Sequence, residues 1–391
     1  MRVALVCDWF LPRTGGIELH LHDLALALRA RGIDATIVTT TPGDAVVDGV
    51  PVHRVPAVLS PIGGFAVSPG ALFGIGRLLV RERFDLVHAH ASVVSPLAYA
   101  GAIAGARAGL PSVLTFHSML HRSAFLLGAS ESLFGWSRDR IVLSAVSSVV
   151  AGQAARWIPG AAVAILPNGV DASFWRGAHA YEQRANKGER DDSGETANTS
   201  EIVFVSAMRL SRKKRPASLL RAFASAARLT AGTPQMRLVL AGDGPDRVAL
   251  VRYARELGIG ERVEFRGQLD RVALRRLYDA AHAFVLPSEL ESFGLAALEA
   301  RAAGLPVIAM LAGGARDFIA QGIDGVLVRD ERELANAMAR IAMDAPFRAF
   351  VARHNATVPP PYDWRDVSAL HERVYAAAVE LRVSAPRPSH R

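Results

Sequence analysis

Two carboxylates stand eight residues apart in Pro287-Ser288-Glu289-Leu290-Glu291-Ser292-Phe293-Gly294-Leu295-Ala296-Ala297-Leu298-Glu299-Ala300. Ala283 to Leu286 reads as a short buried strand, Pro287 and Ser288 end it, and the Leu/Ala-rich run from Phe293 reads as a helix. Glu291 then lies in the loop at the helix mouth. Glu299 lies one to two turns further in, roughly 8–12 Å along the axis at 1.5 Å per residue. Free N–H groups and the dipole at a helix N-terminus favour an anion such as a diphosphate. Carboxylates accept from vicinal hydroxyls, so a sugar at one end of that diphosphate and a ribose at the other would suit the pair. Taken alone, the two acids read more simply as a first-turn helix charge and a solvated face residue.

Cations are the next requirement of such a site. The chain has only three lysines, and two of them stand together in Arg209-Leu210-Ser211-Arg212-Lys213-Lys214-Arg215-Pro216. This basic loop follows an expected strand, Ile202 to Ser206, and precedes a helix starting near Pro216. Open α/β sheets bind ligands at the carboxyl ends of their strands, and an ammonium there can neutralise a phosphate as a point charge. A solvated basic loop is the competing reading.

Seven of the twelve histidines precede residue 122. They lack H-E-x-x-H spacing, and His20 and His22 at i, i+2 on a helix face different ways, so no metal site is expected. His88 reads as a structural strand residue, and His117 as a functional one because it follows a strand.

These residues need a scaffold, and the hydrophobic pattern supplies two β-α series. The first has strands at Val3–Cys7, Ala35–Thr40, Leu86–His90, Ser112–Phe116, Ala145–Ser147 and Val163–Leu166, with a helix near Ile17–Ala30. The second has strands at Ile202–Ser206, Arg237–Ala241, Val263–Phe265, Ala283–Leu286, Val307–Ala309 and Gly325–Val328. Alternation of this kind implies parallel sheets covered on both faces. The expected domains are residues 1–176, a flexible polar linker at 177–200, and 201–361. A last helix, 362–382, packs back on the first domain, and 383–391 forms a disordered tail. Gly15 and Gly16 follow the first strand, where backbone could approach a ligand closely. Gly242 lies in Ala241-Gly242-Asp243-Gly244-Pro245, which lacks the spacing of a dinucleotide fingerprint.

Composition narrows the partners. The net charge is +8, yet no Lys/Arg tract with interleaved aromatics suggests nucleic acid. Scattered arginines fit an anionic substrate or an anionic membrane surface better. The single cysteine, Cys7, excludes an internal disulfide and fits a reducing compartment. The early Asp8 argues against a signal peptide. Phe125-Leu126-Leu127, Leu133-Phe134 and Trp136, with Arg122, Arg138 and Arg140, read either as a membrane-touching surface or as a core helix with ordinary flanking charges.

In order along residues 1 to about 382, the segments resemble the retaining family-4 glycosyltransferases of the GT-B fold. The resemblance rests on Gly15-Gly16-x-Glu18, His88 and His90, His117, and Pro167-Asn168-Gly169-Val170-Asp171. It continues through Arg209 with Lys214, Ala241–Pro245, and the E-x7-E pair Glu291 and Glu299. It implies an α/β architecture of two Rossmann-like doubly wound domains facing across a cleft, with the final helix crossing back. It further implies that Arg209 and Lys214 neutralise the donor diphosphate, that Glu299 takes the ribose and Glu291 the transferred sugar, and that His117 lies near the reacting centre. Gly15, Gly16, Asn168, Gly242, Gly267, Phe293, Gly294 and Leu295 complete the expected nucleotide-sugar contacts. No metal or other cofactor is then needed.

The resemblance loosely favours the subgroup that contains the phosphatidylinositol N-acetylglucosaminyltransferases and mannosyltransferases. Its implied acceptor is a lipid or envelope-glycan precursor, reached from the cytoplasm or peripherally at the inner membrane face. Here Gly313-Gly314-Ala315-Arg316 leads to Asp317 where the family often has Glu directly after the glycine pair, so a shifted or shortened loop is expected. A sugar-nucleotide epimerase and a non-catalytic sugar-nucleotide binder are the alternatives.

Overall fold

The computed structural model describes residues 1–59, 66–67, 69–120, 128, 141–158, 160–176 and 201–383. The chain forms two compact units, Met1–Gly169 with Trp364–Arg391, and Val170–Asp363. The division falls at Gly169 rather than at 176. Val170 N–H donates to the Tyr362 carbonyl at 2.9 Å, and the fully buried Trp175 packs on Tyr278 with ring centroids 5.5 Å apart. One large aromatic side chain thus draws the start of an otherwise polar stretch into the second core. The expected linker at 177–200 lies outside the described residues, as do the tail from 384 onward and Phe125-Leu126-Leu127, Leu133-Phe134 and Trp136.

In the first unit the strands are β1 (Arg2–Cys7), β2 (Asp34–Thr39), β3 (Val46–Val47), β4 (Val50–Arg54), β5 (Val58–Leu59), β6 (Ala66–Val67), β7 (Leu86–Ala91), β8 (Ser112–Phe116), β9 (Ile141–Ala145) and β10 (Val163–Ile165). Eight of them form one sheet in the order β10-β9-β8-β7-β1-β2-β4-β3, parallel except for the β3/β4 pair. Strand β7 is buried along its whole length, as both-face coverage demands. The helix Gly16–Ala30 turns Leu21, Leu24, Ala25 and Leu28 into the core. The C-terminal helix Trp364–Val383 adds Tyr375 and Ala378 to that same core.

Two local features differ from expectation. Strand β9 runs from Ile141 to Ala145 rather than over Ala145–Ser147. The reason is that Ser147 caps the next helix, its hydroxyl accepting from Val150 N at 3.3 Å. The β3/β4 hairpin was not expected, yet its signal is present: Asp48-Gly49 between Val-rich runs, both residues at positive φ (47° and 80°), as a type I′ turn needs.

The second unit holds β11 (Ile202–Ala207), β12 (Met236–Ala241), β13 (Val263–Gly267), β14 (Ala283–Leu286), β15 (Val307–Met310) and β16 (Gly325–Val328). Their order, β13-β12-β11-β14-β15-β16, is all parallel and doubly wound. Strand order reverses between β11 and β14, so the loops after these two strands flank the unit's topological switch point. Behind the sheet, Arg301 is only 1% exposed and pairs with Asp324 at 2.8 Å while donating to the Asn355 and Val358 carbonyls.

Candidate active site

In the second unit the loop after β11 leads through the short 3-10 turn Arg212–Lys214 into the helix Pro216–Leu229. Lys214 Nζ donates to Glu291 Oε2 at 2.6 Å, which brings together the loops after β11 and β14. Glu291 is only 9% exposed, so its carboxylate depends on this partner for compensation. Next to it, Arg215 takes a left-handed backbone (φ 57°) and forms an ion pair with Glu289. Arg209 is exposed and has no carboxylate partner among the described residues, which leaves a fixed positive charge for an anion.

The helix expected from Phe293 begins at Leu295 and runs to Ala302. Gly294 precedes it at φ 98°, a conformation that L side chains rarely adopt. The helix has no side-chain cap and no acid in its first turn, so its leading N–H groups retain their capacity for an anion. Phe293 is 2% exposed and packs on Phe318 and Tyr362, so it anchors the loop rather than presenting a ring to solvent. Glu299 is half-buried on the helix itself.

The glycine pair after β15 explains itself through this loop. Gly314 N–H donates to the Glu291 carbonyl at 2.8 Å, and a Cβ on Gly314 would overlap the Ser292 carbonyl oxygen. A Cβ on Gly313 would stand 3.2 Å from the Glu291 Cβ. Gly313 and Gly314 therefore let one loop lie flat against the backbone that carries Glu291, and Asp317 ends the short turn Gly314–Asp317.

Gly242 has a comparable task. It sits at φ 130°, where a Cβ would run into the Met208 carbonyl, and its N–H donates to Gly267 O at 2.6 Å. Its role is to seat the loop after β12 against the loop that begins at Met208, while Gly267, at φ 70°, has open space where a Cβ would go.

In the first unit the loop after β1 is held by Asp8. Its carboxylate accepts from Leu97 N at 3.0 Å, at the start of the helix Pro96–Arg107, and burial raises its pKa to about 6. Gly15 precedes the helix Gly16–Ala30, and Glu18 folds back so that a Cβ on Gly15 would meet its Oε2 at 2.5 Å. Glu18 is 7% exposed, and burial raises its carboxyl above the usual range. Gly16 has nothing within 4 Å of a built Cβ. Gly15 thus accommodates Glu18, and Gly16 keeps an open backbone face. Asn168 is 7% exposed, and its Oδ1 has no hydrogen-bond partner.

His117 follows β8 and is anchored by its N–H to the Ala91 carbonyl at 2.8 Å. Its Nε2 lies 2.9 Å from His90 Nδ1. His88 bonds Tyr375 Oη at 2.9 Å and Thr115 Oγ1 at 2.6 Å, in keeping with a structural strand residue. His20 stacks on Trp364 with ring centroids 5.4 Å apart. One ring nitrogen from each of His20, His90 and His117 lies within 4.8 Å of the others. Sequence spacing could not reveal this meeting, because the three imidazoles come from a helix, a strand and a loop. Burial lowers the pKa of His117 to about 3 and of His371 to about 4, and pushes His20, His88 and His90 well below the usual range.

Comparison with known proteins shows the family and the fold. Residues 14–174 match the family described as Glycosyltransferase Family 4, and residues 188–355 match Glycosyl transferases group 1. The chain is 30% identical to a D-inositol 3-phosphate glycosyltransferase 2 of Catenulispora acidiphila, over 94% of this chain and 91% of that protein. It is 29% identical to a glycogen synthase of Mycobacterium tuberculosis, over 97% and 95%. Among solved structures, Anabaena HepE in complex with UDP and glucose superposes with a TM-score of 0.73 at 23% identity, over 96% of this chain and 100% of that one, a likeness of fold.

Proposed function

Because the chain belongs to the glycosyltransferases of the GT-B fold, with a family 4 domain followed by a group 1 domain, we propose that it is a retaining, metal-independent hexosyl- or N-acetylhexosaminyl-transferase. The observation that carries this reading is the Lys214–Glu291 pair, beside the uncapped helix Leu295–Ala302 at the switch point of the second sheet. That membership sets aside the epimerase and non-catalytic alternatives.

A nucleoside-diphosphate sugar, carrying mannose, N-acetylglucosamine or a similar sugar, would rest its diphosphate on the leading N–H groups of this helix. Arg209 and Lys214 supply positive charge as the leaving group departs. Glu291 accepts from hydroxyls of the transferred sugar and Glu299 from the ribose. The bond between the anomeric carbon and the diphosphate oxygen breaks while the acceptor oxygen bonds to the same carbon from the same face. The acceptor proton passes to the departing phosphate oxygen, and the nucleoside diphosphate leaves. Protein cations carry the charge that a metal would otherwise balance.

The acceptor we favour is a lipid or envelope-glycan precursor at the cytoplasmic face of a membrane. Among the described residues no helix is long and apolar enough to cross a membrane. The test is a matrix of nucleotide-sugar donors against membrane lipid extracts, purified glycans and D-inositol 3-phosphate, the last prompted by the named relative. Product with the donor's anomeric configuration, formed equally well with excess EDTA, is the expected result. An inverted product, or activity abolished by EDTA and restored by Mg²⁺ or Mn²⁺, would overturn the mechanism. Transfer to D-inositol 3-phosphate alone would replace the acceptor.

A further inference from the structure

Five imidazoles meet in one buried cluster of the first unit. His20 comes from the helix Gly16–Ala30, His88 and His90 from β7, His117 from the loop after β8, and His371 from the C-terminal helix. None is more than 4% exposed. Burial keeps them neutral, and a neutral imidazole has one N–H and one bare nitrogen.

The 2.9 Å contact between His90 Nδ1 and His117 Nε2 therefore contains one proton, belonging to one of the two rings. If His117 Nε2 were the donor, His90 would carry its own proton on Nε2. That atom is buried without a partner, so an N–H there would be an unmade donor. A buried N–H without an acceptor is rarer and costlier than a bare lone pair without a donor. The favoured arrangement places the His90 proton on Nδ1, donating to His117 Nε2. The His117 proton then sits on Nδ1. The His90 ring cannot readily turn away, because it lies tilted against the His88 ring with centroids 4.0 Å apart, and His88 is fixed by Tyr375 and Thr115.

We propose that His90 is a positioning residue that locks His117 in its Nδ1–H tautomer, so that His117 meets the substrate as a hydrogen-bond donor and not as a base. This inference rests on the reading that His117 touches substrate. Donation to a sugar hydroxyl orients the reacting sugar and leaves the acceptor proton to the departing phosphate. It also accounts for a histidine at the reacting centre that stays neutral throughout the working pH range.

The test uses the full-length, ligand-free protein labelled with ¹⁵N-histidine, with the His117 signals identified by their loss in His117→Gln. Two-bond proton–nitrogen correlations should show a protonated Nδ1 and a bare Nε2 for His117 in the wild type. His90→Leu should scramble that pattern and lower kcat by about tenfold or more, with donor KM within about threefold. His90→Asn, whose carboxamide N–H can stand in for Nδ1–H, should restore both. A wild-type His117 protonated on Nε2, or a folded His90→Leu with unchanged kcat, would overturn the proposal. So would a stoichiometric transition metal in the purified protein, since it would claim the same lone pairs. The tautomer measurement on wild type decides even where a variant fails to fold. If His117→Ala transfers sugar at the wild-type rate, the substrate contact itself fails, a result distinct from an unlocked tautomer.

Discussion

Lys214 Nζ donates to Glu291 Oε2 at 2.6 Å, joining residues 77 positions apart on the loops that follow the neighbouring strands β11 and β14. The pair makes one chemical unit from a phosphate-type cation and a hydroxyl-type acceptor. Each side chain holds the other ready before any ligand arrives.

Lys214→Ala and Glu291→Gln should each lower turnover by about 10²–10³-fold. Because the two act as a unit, the double variant should lose far less than the product of the single losses. Initial-rate measurements on all four proteins check this, and strictly multiplicative losses would show independent roles.

The loop glycines should be as sensitive as the charged residues. Gly314→Ala forces a methyl into the Ser292 carbonyl, and Gly242→Ala forces one into the Met208 carbonyl. Each should destabilise the second unit by about 1–3 kcal/mol and weaken donor binding. Gly16→Ala, with nothing within 4 Å, serves as the stability control. Denaturant midpoints and nucleotide titrations measure both effects.

Acid should unfold the first unit early. The five buried histidines have folded pKa values below the ordinary 6.5, so the unfolded chain binds more protons between those values. Their contribution to stability is complete above about pH 6.5 and is lost as pH falls toward the depressed values. Asp8 and Glu18, raised by burial, and His22, raised by its hydrogen bond to Asp23, act in the opposite sense, but they are three groups against five. Melting temperature should therefore fall from pH 7 to pH 5, and replacing His371 with Gln should make that fall shallower.

Arg301→Ala should cost the second unit about 3–5 kcal/mol, because it takes the guanidinium from the Asp324 carboxylate, leaving it the Ala320 N–H and the nearby His354, and strips two backbone carbonyls of that donor. Arg301→Met with Asp324→Asn should cost less, since no buried charge is left unpaired. Chemical denaturation of the three proteins gives the comparison.

Much of the fold was legible because its signals are local. The apolar runs at Ala283–Leu286 and Ser112–Phe116 coincide with β14 and β8. Proline at 216 starts the helix Pro216–Leu229, and Trp364 starts the last one. Where a polar residue does a local job the pattern misleads, as at Ser147, which reads as strand by its neighbours and serves as a cap. Asp48-Gly49 was a legible turn signal that the alternation around it was too short to announce. The candidate site was legible as residue types: Arg209 and Lys214 after one strand, Glu291 and Glu299 around a helix start, His117 after another strand.

By itself the sequence determined the two β-α series and the chemical character of the strand-end loops, because periodicity, turn residues and side-chain charge act over a few positions. Only the tertiary structure decided which of those residues meet. Strand order sets β11 against β14 and so pairs Lys214 with Glu291; it also lays Gly313 and Gly314 on the backbone of the Glu291 loop. The same physics brings His20, His90 and His117 together, with His90 Nδ1 2.9 Å from His117 Nε2. Sheet order and burial are properties of the whole packed unit, and no spacing along the chain encodes them.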